Sequence, residues 1–268
     1  MSTPEPVIFE VRGRAAWLTL ASPATRNALS GAMIEALGAA LDRALDDPAV
    51  RVVVLTATGP AFCAGADLKG GGAAVAPAAG RHNPFVDFLK RMWDGPKPVV
   101  VAVNGHAFGG GVGLVAAADV SIAVESALFS FSEVRVGVIP AMISVVVLPK
   151  LGVHQAMRLF LTGRRFDARE ALGYGLLHRV VPAGGLEAAV EEEIDMIAQG
   201  GPTAVAEAKR LVRTVTRLPM DDAFAYAEAK IAELFVSAEA AEGMAAFAQK
   251  RKPSWVEPDT AAPKPGTP

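Results

Sequence analysis

Two stretches of this chain could hold an oxygen atom against backbone N–H groups. The first is Ala61-Phe62-Cys63-Ala64-Gly65-Ala66-Asp67-Leu68-Lys69, which follows the β-branched run 51–57. The second is Asn104-Gly105-His106-Ala107-Phe108-Gly109-Gly110-Gly111-Val112-Gly113, which follows the apolar run 98–103. Glycine and alanine let a ligand approach the backbone closely, and N–H groups at a helix start point outward with partial positive charge. Two such groups converging on one oxygen make an oxyanion hole, which stabilises a thioester enolate or a tetrahedral intermediate by several kcal/mol. Two other readings compete. Gly111-Val112-Gly113-Leu114-Val115-Ala116 fits the dinucleotide pattern Gly-x-Gly-x-x-Gly/Ala, but the chain from Val103 to Gly111 is long for the tight turn that pattern needs, and Glu125 comes early for its acid. Alternatively, the glycines serve only close packing.

Other reactive side chains give weaker signals. His82, His106, His154 and His178 lie far apart, and none has a His, Cys or carboxylate at metal-ligand spacing, so no metal is expected. There is no Gly-x-Ser-x-Gly elbow and no Gly-Lys-Ser/Thr loop. Cys63, between Phe62 and Ala64, reads as a small buried hydrophobe rather than a nucleophile. The acidic cluster at 191–193 with Asp195 reads as a solvated helix face.

The elements that must position these segments alternate. Runs 7–11 and 15–20 read as a hairpin, and Ser30 as the N-cap of a helix to about Ala44. Runs 51–57 and 98–103 read as strands buried on both faces, 85–93 as a short amphipathic helix, and 120–124 and 128–131 as further strands. The loop 70–84, rich in Gly, Ala and Pro, is expected to be mobile. From about Pro140 the pattern is helical, over 148–162, 168–173, 186–199, 202–215 and 220–249, ending in a proline-rich tail. The fold class is therefore α/β with a helical C-terminal region.

Composition bounds the possibilities. With 268 residues, 51% of them hydrophobic and 20% charged, the chain suits a globular enzyme with a core of Ala, Val, Leu and Ile. A net charge of −2 gives no pull towards nucleic acid or an anionic membrane. The single cysteine, Cys63, and an N-terminus without a basic region and apolar run lead us to expect a reducing, cytoplasmic location. The apolar stretch 99–118 has the length of a membrane span, but its run of glycines argues against one.

Together the segments resemble the enoyl-CoA hydratase/isomerase (crotonase) family from about Val7 to Trp255. The resemblance rests on Arg26-Asn27-Ala28-Leu29, 61–69, 104–113, 132–140, and Glu242-Gly243-Met244 through Lys250-Arg251-Lys252-Pro253. The run 108–114 with Ser132-Glu133-Val134-Arg135 is similar to bacterial methylglutaconyl-CoA hydratases in particular. The resemblance implies a superhelix of ββα units over 1–200, a helical trimerisation region over 201–255 and a flexible tail over 256–268, assembled as homotrimers or hexamers. It implies an oxyanion hole from the N–H groups of Ala66 and Gly110. It further implies a coenzyme A groove at Ala28, Ala64, Ala66, Asp67, Leu68 and Lys69, with Arg26 and Lys69 near the phosphates and adenine. Phe247 and Lys250 resemble residues that reach a neighbour's ligand. Coenzyme A enters as part of the substrate, and no tightly bound cofactor is implied.

The sequence departs from the family at one position. Two-carboxylate hydratases carry one glutamate shortly after the glycine run and another in the 132–140 segment. Here the first position is Gly113 and only Glu133 remains. A carboxyl in an apolar pocket is a suitable acid or base because burial moves its pKa towards neutrality. Glu133 could serve hydration of a 2-enoyl-CoA, which is the preferred expectation, or 3-enoyl to 2-enoyl isomerisation. A third possibility is an acyl-CoA-binding protein with reduced catalysis. A carboxylated acyl chain would want a cation in the pocket, which Arg81 or Arg135 could supply.

Overall fold

The computed structural model describes residues 5–68 and 82–256, so Lys69, Arg81, most of the loop 70–84 and the tail beyond Val256 lie outside the described residues. The chain divides into two compact units between Ile194 and Asp195. The first unit opens with a hairpin, β1 (Val7–Arg12) and β2 (Ala15–Leu20), paired antiparallel. Helix α1 (Gly31–Asp46) starts where the Ser30 hydroxyl accepts the Met33 N–H at 3.2 Å. Its buried residues Met33, Ile34, Leu37 and Leu41 recur at helical spacing.

Three strand pairs follow, each closed by a helix. They are β3 (Val52–Ala57) and β4 (Ala61–Cys63) before α2 (Pro84–Asp94), then β5 (Val99–Val103) and β6 (His106–Phe108) before α3 (Gly110–Ala117). The third is β7 (Val120–Val124) and β8 (Leu128–Ser130), followed by a 3-10 turn (Ser132–Val136) and α4 (Ala141–Thr162). With β9 (Arg165–Asp167) and β10 (Arg179–Val181) from further along the chain, the first strand of each pair joins a six-stranded sheet ordered β1-β2-β3-β5-β7-β10, and the second joins a four-stranded sheet ordered β4-β6-β8-β9. Strand β5 is a run of buried Val and Ala, and β3 one of buried Val, Leu and Ala interrupted by Thr56, as parallel strands covered on both faces require. Strands β9 (Arg165–Asp167) and β10 (Arg179–Val181) flank α5 (Ala168–Gly173), and α6 (Leu186–Gln199) crosses the division between the units.

In the second unit lie α7 (Pro202–Val215), α8 (Met220–Phe235) and α9 (Ala238–Ala248). Glu239 caps the start of α7 from a neighbouring helix, its carboxylate accepting the Thr203 and Ala204 N–H groups at 2.9 and 2.8 Å.

Four expectations are corrected. The segment beyond Pro140 also contains β9 and β10, whose three residues each are too few to show a period. The helix read over 148–162 begins at Ala141 and is broken at Gly152, where φ is +68°. The helix read over 220–249 is two, because the Ser237 hydroxyl accepts the Ala240 N–H at 3.1 Å and starts a new one. Residues 61–63 and 106–108, given no element of their own from the sequence, are strands. No described helix is long and apolar enough to cross a membrane, and 99–118 is a strand, a short strand and a helix in succession.

One buried amide ties the early loops together. Asn27 is fully buried at φ +55°; its Nδ2 donates to Thr58 O and Ala61 O at 2.9 Å each, and its Oδ1 accepts the Ser22 N–H at 2.8 Å. Replacing it by alanine leaves these backbone groups without partners, so Asn27→Ala is expected to lower unfolding free energy by about 3 kcal/mol. Urea denaturation of the two proteins measures it; a loss within about 0.5 kcal/mol, the range of ordinary surface changes, would deny the amide this role.

Candidate active site

The parallel strands β4, β6 and β8 lie side by side, with Cys63 opposite Ala107 and Phe108 opposite Ser130. Their C-terminal ends therefore share one edge, and each releases one of the segments singled out in the sequence. Residues 64–67 leave β4, Gly109 and Gly110 leave β6, and Glu133 follows β8. Ligand sites gather at such carboxyl ends because the chain turns there with its N–H groups facing outward.

The first segment is laced to residues 26–29. Ala64 N–H donates to Arg26 O at 3.0 Å, Leu29 N–H to Gly65 O at 2.8 Å, and Asp67 N–H to Leu29 O at 3.4 Å. Leu29 and Ala66 thus form a parallel bridge, in which the N–H of Ala66 faces away from its neighbour. Gly65 has φ +87°, and a β-carbon there would stand 2.8 Å from Phe108 O and 3.4 Å from Gly110 N. Only a residue without a side chain can adopt that conformation so close to the second segment. Gly110 opens α3, so its N–H has no partner within the helix. Among the described residues the N–H of neither Ala66 nor Gly110 donates to a backbone carbonyl outside the helices and strands. Two outward donors thus stand on adjacent strand ends.

Glu133 lies in the first turn of the 3-10 helix after β8. Its carbonyl accepts the Val138 N–H at 3.1 Å, and Gly137 closes the turn with φ +79°. The residues before it are anchored by Phe131, fully buried and edge-on to Phe160 at 4.7 Å, and by the Ser130 hydroxyl, which donates to Gly163 O at 3.0 Å. The carboxyl rests on Gly109, the residue at φ +51° before α3; a β-carbon there would meet Glu133 Oε1 at 3.1 Å. Glu133 Oε2 is buried and has no hydrogen-bond partner among the described residues. Burial pushes its pKa above the ordinary carboxylate range, against a smaller opposing pull from its own backbone N–H. The result is a half-buried carboxyl with a raised pKa, resting on the residue that precedes Gly110.

The other position expected to bear a carboxylate is closed. Gly113 is buried, and a β-carbon on it would lie 2.2 Å from Ile143 Cγ2 and 2.9 Å from Ile143 Cβ. Gly111 packs as tightly, its missing β-carbon 2.8 Å from Cys63 Cβ. Burial pushes the Cys63 thiol up to about 12, so it stays an uncharged, small hydrophobe at neutral pH. His106 and His178 are backbone acceptors: their Nδ1 atoms take the Leu128 and Ser121 N–H groups at 3.2 and 3.1 Å.

Of the residues named from the sequence, Arg26, Ala28, Ala64, Ala66, Asp67, Gly110 and Glu133 come together at this edge, with Leu68 beside them 63% exposed. Phe247, 88% exposed, and Lys250, at φ +53°, belong to the second unit. Arg135, offered from the sequence as a pocket cation, is exposed, and its Nη2 donates to Thr162 O at 3.4 Å at the end of α4. Leu29, Phe85 and Ile143 were not foreseen. A β-carbon on Gly110 would meet Leu29 Cδ1 at 2.7 Å and Phe85 Cζ at 3.6 Å, contacts between residues too distant in sequence to leave any local signal.

The family model described as enoyl-CoA hydratase/isomerase matches residues 10–258. A carnitinyl-CoA dehydratase of Proteus mirabilis is 36% identical over 85% of this chain and 90% of its own length. Among solved structures, an enoyl-CoA hydratase of Shewanella pealeana has a TM-score of 0.88 at 31% identity, covering 93% of this chain and 96% of that one. An enoyl-CoA hydratase of Mycobacterium smegmatis has a TM-score of 0.86 at 33% identity, covering 93% and 98%. These structures have the same mixed α/β architecture of parallel sheets and helices.

The buried carboxyl sets a pH signature on stability. Below the ordinary value of 4.5 Glu133 is protonated in both folded and unfolded chains and costs nothing. As pH rises through its raised folded value, the native state must charge a desolvated group and loses stability. Glu133→Gln should therefore melt higher than the parent at pH 8, with the difference shrinking towards pH 4; thermal melts across that range measure it. An equal difference at both ends would mean the carboxyl is not desolvated.

Proposed function

The chain belongs to the enoyl-CoA hydratase/isomerase family of enzymes, and on that footing we propose that it adds water to a 2-enoyl-CoA, giving a 3-hydroxyacyl-CoA. The observation that carries this reading is the Glu133 carboxyl, its Oε2 buried without a partner among the described residues, resting on Gly109 just before Gly110. The thioester oxygen sits between the N–H groups of Ala66 and Gly110, which draw electron density from the conjugated double bond. The Glu133 carboxylate takes a proton from water as its oxygen attacks the β-carbon. Negative charge moves to the thioester oxygen, where each backbone donor contributes roughly 10²–10³-fold in rate. The same carboxylic acid then returns its proton to the α-carbon, so one group serves both transfers. Run backwards this sequence is a dehydration, the direction named for the Proteus mirabilis relative.

The coenzyme A portion is assigned to the groove of Ala28, Ala64, Ala66, Asp67 and Leu68, with Arg26 and Lys69 facing its phosphates and adenine, and Phe247 and Lys250 serving a neighbouring subunit's ligand. Coenzyme A arrives with the substrate and needs no resident cofactor. Exposed apolar side chains support assembly into homotrimers or hexamers. Val145, Val153 and Leu161 on α4 are examples in the first unit, as are Met220, Val236 and Phe247 in the second. Light scattering should then give about three or six times 27.8 kDa; a single-chain mass at micromolar concentration would exclude the assembly.

A second reading, isomerisation of a 3-enoyl-CoA to a 2-enoyl-CoA, is favoured by the filled space at Gly113, since moving one proton between two carbons needs one base. Following the conjugated thioester absorbance distinguishes the two. Hydration removes the signal from a 2-enoyl substrate, and isomerisation creates it from a 3-enoyl one. In either case Glu133→Gln should lower kcat by about 10²–10⁴-fold with KM little changed. Unchanged turnover in that variant would remove Glu133 from the mechanism, and failure to bind any coenzyme A ester would remove the proposal itself.

A further inference from the structure

We propose that Ile143 is the residue that confines this site to a single carboxylate. The inference rests on the acid/base reading of Glu133 above. Ile143 stands in the first turn of α4, 3% exposed, with its side chain seated on Gly113 of α3. A β-carbon at 113 would meet Ile143 Cγ2 at 2.2 Å and Cβ at 2.9 Å, but Ile143 Cα only at 3.9 Å. The last distance is ordinary contact. The α4 backbone therefore leaves room for a β-carbon on α3, and it is the isoleucine side chain that occupies the place.

That space adjoins the proton carrier. Gly113 N–H donates to Gly109 O at 3.2 Å, and Gly109 is the residue on which the Glu133 carboxyl rests. Glu133 and Ile143 thus cover consecutive turns of one backbone. A side chain on 113 would thus start one turn of backbone away from the residue on which Glu133 rests. Positions 113 and 143 form a small–large pair, and the large member decides that no second carboxyl enters. Glycine at 113 follows from that packing; a glutamate there would have to displace α4 before it could act.

Exchanging the pair tests this. Gly113→Glu, Ile143→Gly and the double variant are assayed with a 2-enoyl-CoA across pH, alongside thermal melts. Gly113→Glu alone is expected to melt lower and to lose roughly tenfold or more in kcat/KM, because the side chain forces α3 and α4 apart. Adding Ile143→Gly should recover roughly tenfold and add a second carboxylate ionisation to the pH profile. Full activity and stability in Gly113→Glu alone, no recovery in the double variant, or recovery without the second ionisation would each overturn the proposal. Should Gly113→Glu not fold, the melting temperatures of Gly113→Ala, Ile143→Gly and their combination decide. The loss in the combination should be smaller than the sum of the single losses, and strict additivity overturns the pairing. If the parent protein turns over no enoyl thioester, the proposed function has failed, and the melting cycle still answers whether Ile143 fills the position.

Discussion

The site depends on the parallel pairing of three very short strands, β4, β6 and β8. Each contributes three residues, too few to hold a sheet together on their own. They stay in register because each is tethered to a longer, buried strand of the six-stranded sheet by a turn of a few residues. Those turns are themselves cross-linked. Asn104 Nδ2 donates to Gly59 O at 2.9 Å, and Asn27 holds the carbonyls of Thr58 and Ala61 from below. The large sheet provides the hydrophobic core, and the small one delivers three chain ends to a common edge.

At that edge the requirements of stability and chemistry diverge. A carboxyl of Glu133 placed against Gly109, with one oxygen shut away from partners, is poorly solvated when charged. The fold tolerates it because everything around it is over-determined: the Phe131 anchor, the Gly137 turn and the Ser130 hydroxyl fix the backbone whatever the charge. The outward N–H groups of Ala66 and Gly110 are a similar concession, since a helix start and a bridged strand end leave donors without acceptors. Strain of this kind collects where a ligand is expected to relieve it.

Much of this was legible in the residues. The apolar runs of β3 and β5, the Ser30 cap, and the small residues of 64–66 and 109–113 each carry a local physical reason that survives outside the fold. What was not legible has a common cause. The strands β4, β6, β9 and β10 are three residues long and exist only through pairing with distant chain, so no period betrays them. The break before α9 depends on one serine hydroxyl within a continuous helical pattern. Ile143 in sequence is one more apolar residue in an apolar helix; its importance comes from a glycine thirty positions earlier.

Because the three strand ends come from three successive units of chain, the site has no local precursor. The donor at Ala66, the donor at Gly110 and the carboxyl at Glu133 emerge in that order during synthesis, and contacts of such sequence separation form late relative to helices. A nascent chain that has folded its hairpin and first strand pair already contains the first donor, yet nothing for it to act with. The three segments are therefore brought together only when β8 docks and carries Glu133 onto Gly109.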